Sequence, residues 1–223
     1  MNAAQDRSSK RRIFLVDDHP LVREWLTNLI HQQPDLEVCG EAEDAPRALQ
    51  AIASLQPDVA IVDITLASGS GLELVKDIKR SVPSVAIVVL SMHDESLYAE
   101  RALRAGARGY VTKRDTTKKI ITAIRTVLEG KLHVSDEFKA LMTERLLEGN
   151  VGASGVQSLS DRELEVFRML GQGIETRVIA ESLCISIKTV QVYCGRIKEK
   201  LNLQNATELL CEAVRWCETE KKS

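Results

Sequence analysis

Ile13-Phe14-Leu15-Val16-Asp17-Asp18 is a short apolar run that stops on two adjacent carboxylates. A run of this length is strand-sized, and continuous apolarity predicts a strand covered on both faces. The same figure recurs down the chain. Val59–Val62 stops at Asp63, Ala86–Leu90 at Ser91 and Gly109–Thr112 at Lys113. Leu36–Ala42 supplies a further strand by alternating apolar and polar residues. Between these runs, Pro20–Gln33, Asp44–Leu55, Gly71–Val82, Ser96–Ala105 and Thr116–Leu128 carry helical spacing. Pro20 stands where a first helical turn tolerates it, and Asp44 is a cap for the second helix.

Strand and helix alternate five times, which implies a parallel sheet with helices on both faces. The expected fold is α/β, a flavodoxin-like doubly wound parallel five-stranded sheet. In such a sheet all carboxyl ends of the strands share one edge, and ligands bind there at the point where the strand order reverses. Asp17, Asp18, Asp63, Ser91 and Lys113 therefore converge. Crowded carboxylates repel one another, and a hard divalent cation relieves this. Metal, ammonium and hydroxyl together can stabilise charge on a phosphoryl group while one carboxylate acts as nucleophile.

The second half reads differently. Ser135–Leu147 is helical, with Ser135 as cap. Residues 149–155 are small and polar, the composition of a tether. Ser160-Asp161-Arg162-Glu163 is a capping-box sequence, with Gly171 and Gly173 ending its helix. Thr176–Leu183 is a second short helix, Cys184-Ile185-Ser186 a tight turn, and Ile187, Val190, Cys194, Ile197 and Leu201 form the apolar stripe of a third. Two short helices, a turn and an amphipathic helix predict a second, all-α helix-turn-helix domain. On the polar face of its third helix, Lys188, Thr189, Arg196, Lys198 and Lys200 suit phosphates. Gln191 can pair with adenine and Val192 can touch a thymine methyl. Acids and bases are about equal in residues 158–223, so one copy is expected to bind DNA weakly.

Composition is that of an ordinary folded chain, with 223 residues, 44% apolar, 28% charged and a net charge of −2. No apolar run has membrane-spanning length, and the polar N-terminus has no signal-like stretch, so a cytoplasmic protein with no membrane partner is expected. The cysteines at 39, 184, 194, 211 and 217 show no metal or disulfide spacing.

Asp17-Asp18, Asp63, Ser91 and Gly109-Tyr110-Val111-Thr112-Lys113 resemble the signature of response-regulator receivers. Leu159–Val166, Ile179-Ala180, Leu183–Ser186, Thr189–Tyr193 and Lys200-Leu201 resemble the LuxR-type helix-turn-helix. The whole chain is thus similar to the NarL/FixJ family of two-component regulators. That resemblance implies a flexible tail at 1–11, a receiver at 12–130, a linker with a helix at 131–157 and a DNA-binding domain at 158–223. It implies that a sensor histidine kinase phosphorylates Asp63. Mg2+ would be held by Asp18, Asp63 and the Thr65 carbonyl, with Asp17 acting through water. Ser91 and Lys113 would grip the phosphoryl group, Tyr110 would act as the switch aromatic, and a homodimer would form on double-stranded DNA upon activation. The chain would not be an enzyme beyond assisting its own phosphoryl transfer and dephosphorylation. Haloacid-dehalogenase-like phosphatases also use a strand-end Asp, but their Asp-x-Asp pair is missing, since Thr65 follows Asp63 by two. The family's Pro after the phosphorylated Asp is absent, and Gln191 and Tyr193 stand where Lys and His are common. Gln191, Gly195 and the near-neutral charge of residues 158–223 support a second reading, a phosphorylation-dependent protein-interaction switch whose C-terminal module does not bind DNA.

Overall fold

The computed structural model describes residues 10–66, 68–93, 95–115, 117–147 and 155–220. The expected tail (except residues 10 and 11) and most of the expected tether lie outside them. Contacts divide the chain into two units, one of Met1–Met92 with Ala102–His133, the other of His93–Arg101 with Val134–Ser223.

The first unit carries five parallel strands, β1 (Arg11–Val16), β2 (Leu36–Ala42), β3 (Val59–Val62), β4 (Ala86–Ser91) and β5 (Gly109–Thr112), in the order β2-β1-β3-β4-β5. Helices α1 (Pro20–His31), α2 (Ala45–Leu55), α3 (Gly71–Ser81) and α5 (Thr117–Leu128) alternate with them; α4 (Glu95–Ala105) follows β4 in sequence and is divided between the two units. This is the expected flavodoxin-like winding. The strand runs are apolar because the sheet is buried: Ile13, Phe14, Leu15, Val59, Ala60, Val62, Ile87 and Val89 have no exposed surface. Ile13, Leu15, Ile61, Val88 and Val111 join Leu26 and Ile30 of α1 and Ile120, Ile124 and Val127 of α5 in one core. Each fully buried aliphatic side chain contributes about 1.5–3 kcal/mol.

Local chemistry sets the turns. Asp44 accepts a hydrogen bond from the Arg47 N–H at 2.8 Å and caps α2. Gly71 opens α3 where no side chain fits, because a Cβ there would lie 1.9 Å from the Asp63 carbonyl oxygen. At the sheet's far edge, His133 forms a bridge to Gly109. Its carbonyl accepts from the Tyr110 N–H, and its N–H donates to the Arg108 carbonyl, both at 2.9 Å.

The second unit contains helices α6 (Asp136–Leu147), α7 (Asp161–Gly171), α8 (Thr176–Ser182), α9 (Ile187–Leu201) and α10 (Ala206–Glu220), with a 3-10 turn at Gly155–Ser158. The capping box exists as expected: Ser160 Oγ accepts from the Glu163 N–H and Glu163 Oε2 from the Ser160 N–H. Gly171 is the last residue of α7, as expected, and it has a second role: a Cβ there would stand 2.3 Å from the Ala213 carbonyl oxygen, so it lets α10 approach closely. Phe167 and Trp216 meet at 5.7 Å across the same pair of helices. α8 and α9 meet at 109°, within the range of a helix-turn-helix. Among the described residues no single helix is long and apolar enough to cross a membrane. All five cysteines are free.

Candidate functional site

Strand order places the receiver residues. β1 and β3 are neighbours, and Val16 pairs with Val62, so Asp17 and Asp63 leave the sheet side by side. The Asp63 N–H donates to the Val16 carbonyl at 2.9 Å. The chain winds towards β2 on one side and towards β4 and β5 on the other, so the two carboxylates mark the reversal point.

Lys113, one residue beyond β5, reaches both. Its Nζ lies 2.6 Å from Asp17 Oδ2 and 2.7 Å from Asp63 Oδ2, and all three side chains are at least nine-tenths buried. Burial raises the Asp63 pKa above the usual carboxylate range. The Lys113 ammonium opposes this rise, and Asp17 adds to it. Burial acts to lower the Lys113 pKa, but Asp63 and Asp17 overcome it and leave the ammonium above its ordinary value. The three groups thus hold one another's charges in a pocket with little water.

The remaining oxygens are distributed unequally. Asp17 Oδ1 accepts from the His19 N–H at 2.9 Å, and Asp63 Oδ1 from the Thr65 N–H at 3.2 Å. Thr65 also bridges to Ser70, which folds the loop after β3 back towards α3. Asp18 Oδ1 is buried and accepts no hydrogen bond, although His19 Nδ1 is 2.8 Å away. Carboxylate oxygens gathered in this way are the hard donors that a divalent cation takes. Asp17, Asp18, His19 and Asp63 each bring one ligand atom within 4.8 Å of the others. His19 is absent from the residues expected from sequence, yet its place directly after the paired carboxylates is the signal for it.

Ser91 and Tyr110 are both buried, on the adjacent strands β4 and β5. Val89 pairs with Tyr110 and Ser91 with Thr112, so hydroxyl and aromatic ring lie on the same face of the sheet. His93 stacks on Tyr98 at 4.6 Å.

On α9 the expected apolar stripe holds at Val190 and Ile197, with Cys194 and Leu201 half-buried, but Ile187, in the first turn, is exposed and does not join it. Val190 and Ile197 are buried, while Lys188, Gln191, Val192 and Arg196 are exposed and Thr189 and Lys198 half-exposed. Ser186 caps the helix by accepting from the Thr189 N–H at 3.0 Å. Cys184 makes the preceding turn in the left-handed region, with φ +54. Lys200 does not join this face as a free cation. Its Nζ lies 2.6 Å from Glu163 Oε2 and donates to the Ser158 carbonyl at 3.1 Å. The Glu163 side chain is 4% exposed. Burial would raise its pKa, but Lys200 and the Ser160 N–H overcome that and hold it below the usual range.

The family of the response regulator receiver domain matches residues 13–125, and the luxR family of bacterial regulatory proteins matches residues 157–213. The response regulator GacA of Pseudomonas viridiflava is 33% identical over 204 residues, 92% of this chain and 95% of that protein. The transcriptional regulatory protein DegU of Brevibacillus brevis is 30% identical over 226 residues, 95% of this chain and 96% of that protein. RcsB from Salmonella enterica serovar Typhimurium, solved bound to a promoter in the presence of the phosphomimetic BeF3-, is similar with TM-score 0.68 and 28% identity, covering 92% of this chain and 98% of that one. With the receiver fold, the acid cluster at its strand ends and the helix-turn-helix all present, the chain belongs to the NarL/FixJ family of two-component response regulators.

Proposed function

We propose that Asp63 accepts a phosphoryl group from a sensor histidine kinase and that this controls transcription through DNA binding by α9. The observation that carries the first half is the Lys113 bridge to Asp17 and Asp63 at the reversal point of the sheet. Asp63 attacks phosphorus, a new carboxylate–phosphorus bond forms, and the bond from phosphorus to the donor breaks. Lys113 keeps the attacking carboxylate ionised and then follows the transferred oxygens. Ser91 holds a phosphoryl oxygen from the neighbouring strand, and Tyr110 is the aromatic that follows it. Asp18, Asp63 and the Thr65 carbonyl hold Mg2+, with Asp17 assisting. The bound ion supplies neutralisation of charge on the phosphoryl oxygens. The same groups assist hydrolysis of the acyl phosphate, and no separate substrate is turned over.

In the helical unit, Lys188, Thr189, Arg196 and Lys198 meet phosphates while Gln191 and Val192 face bases. Two copies bind adjacent half-sites. Lys200 belongs to the frame that holds α9, because its charge is engaged by Glu163. The solved relatives bound to promoter DNA, at 27–28% identity, support this reading over a module that has lost DNA. We take the receiver as residues 12–130, the linker as 131–157 and the DNA-binding domain as 158–223.

The test is chemical. Wild-type protein with Mg2+ and a small acyl-phosphate donor is expected to incorporate acid-labile phosphate, and Asp63→Asn to incorporate none. Stoichiometric labelling of Asp63→Asn would remove Asp63 from this role.

A further inference from the structure

We propose that Arg23 is a positioning residue of the receiver site: it sets the orientation of the Asp17–Asp18 peptide and, through it, the placement of the Asp18 carboxylate. This rests on the reading that the strand-end carboxylates serve Mg2+-dependent phosphoryl transfer, and it concerns what holds one of them in place.

Arg23 is the fourth residue of α1. Side chains on a helix lean towards its N-terminus, so this one folds back over the turn that follows β1. Its Nη1 donates to the Asp17 carbonyl oxygen at 2.7 Å. Its Nε stands 3.4 Å from Glu41 Oε1, near the end of β2. One guanidinium thus ties the ends of two strands to the start of α1. The Arg23 side chain is 13% exposed and that of Glu41 51%, so the bond to the carbonyl is the sheltered one. The helix itself gives no reason for Arg23, because a cation in a first turn works against the helix dipole.

The peptide unit is planar, so the Asp17 carbonyl oxygen and the Asp18 Cα share one plane. A bond that fixes the oxygen therefore fixes the direction in which Asp18 leaves the strand. Asp17 has further anchors. Its N–H donates to the Ala42 carbonyl at 3.2 Å, Oδ1 accepts from the His19 N–H, and Oδ2 faces Lys113 Nζ at 2.6 Å. Asp18 has fewer. Its Oδ1 accepts no hydrogen bond, and its ion-pair partner, the His19 ring, is 65% exposed. The backbone is the firmer hold on Asp18, and Arg23 is what grips it. Lysine is an incomplete substitute, since a single ammonium lacks the planar fork that reaches the carbonyl and Glu41 together.

Full-length wild type, Arg23→Met, Arg23→Lys and the control Arg80→Met, whose side chain is 78% exposed on α3, are compared. Labelling of Asp63 by a small acyl-phosphate donor is followed as Mg2+ is raised, and melting is recorded with and without Mg2+. Arg23→Met is expected to raise the Mg2+ concentration for half-maximal labelling by about tenfold or more, because loss of a group that supports a metal ligand costs 10–100-fold. The rise in melting temperature that Mg2+ produces shrinks with it, since weaker binding stabilises the folded state less. Arg23→Lys recovers part of both, and Arg80→Met matches wild type. If Arg23→Met melts lower but keeps the wild-type Mg2+ midpoint and the wild-type Mg2+-induced rise, Arg23 only fastens the fold and the inference is wrong. Where Arg23→Met does not fold, the same readouts on Arg23→Lys decide: a raised midpoint supports the inference and an unchanged one overturns it. If wild type neither labels nor responds to Mg2+, the phosphoacceptor reading falls and takes the inference with it.

Discussion

Replacing Lys200 by Met isolates the Lys200–Glu163 pair, because the stem is preserved and only the ammonium is lost. In wild type, Glu163 Oε2 receives the Ser160 N–H at 2.8 Å and Lys200 Nζ at 2.6 Å, in a side chain that is 4% exposed. Removing one partner of a fully buried pair costs about 3–5 kcal/mol, and an exposed pair is worth about 0.2–1 kcal/mol. Here the acid is buried, but the Lys200 side chain is 39% exposed and the Ser160 N–H remains. We therefore expect a loss of about 1–2 kcal/mol, between the two limits. For a module this small that is a fall of roughly 5–10 °C in its melting transition. The pH dependence has a definite sign. A carboxylate held below its unfolded value contributes stability that is present above about pH 4.5 and is lost as pH falls through the folded value. Lys200→Met flattens that acid limb, and Glu163→Gln removes it. DNA binding separates the frame from the interface. A phosphate contact contributes roughly 0.9 to the slope of log affinity against log salt, whereas a residue of the frame contributes nothing to it. Thermal melts from pH 3 to 7 and salt titrations on one DNA site decide the matter. If Lys200→Met melts with wild type and its salt slope drops by about one, Lys200 is a DNA contact and the frame argument is refuted.

Gly71→Ala forces a Cβ into the Asp63 carbonyl, and we expect a loss of more than about 2 kcal/mol together with slowed phosphate incorporation, read by urea unfolding and acyl-phosphate labelling. Cys184→Gly relieves a left-handed backbone in the helix-turn-helix and should stabilise that unit by about 0.5–1 kcal/mol in the same melts. Gln191→Ala should relax preference at one base pair per half-site, at about 1–3 kcal/mol of discrimination, while Lys188→Ala should weaken all sequences alike and flatten the salt slope. An unchanged base preference in the first, or an unchanged slope in the second, would count against the assigned face of α9.

The receiver was legible because its information is local and repeated. Each strand is a short apolar run, and each chemical group is the residue that ends one, so Asp17, Asp63, Ser91 and Lys113 could be placed once the sheet was parallel. The α9 face was legible for a similar reason, since one helical period separates Val190 and Ile197 from Lys188 and Gln191. What escaped the sequence depends on distance. Lys200 meets Glu163 across 37 residues, and no spacing within either helix signals that pair. Gly171 was legible as the end of α7, but its close approach to Ala213 was not, because that is a fact about α10. His19 was passed over because a lone His in a loop has no period. Its place directly after Asp17-Asp18 was the available signal, and the turn after β1 brings its Nδ1 to within 2.8 Å of Asp18 Oδ1.

The bridge made by His133 bears on how this protein avoids unwanted assembly. A sheet's outermost strand normally offers a row of unsatisfied peptide groups to any passing chain. On β5 both outward N–H groups are already taken: Tyr110 donates to the His133 carbonyl, and Thr112 donates to Asp115 Oδ2 at 2.9 Å. Strand addition at that side has to displace the protein's own chain first. Among the described residues the other rim, β2, pairs with β1 alone, and a break in register between Ile13 and Phe14 interrupts that pairing. An irregular rim of this kind is a poor template for a straight incoming strand. Both rims therefore disfavour continuous backbone ladders between copies and leave side-chain surfaces as the easier ground for any contact between them.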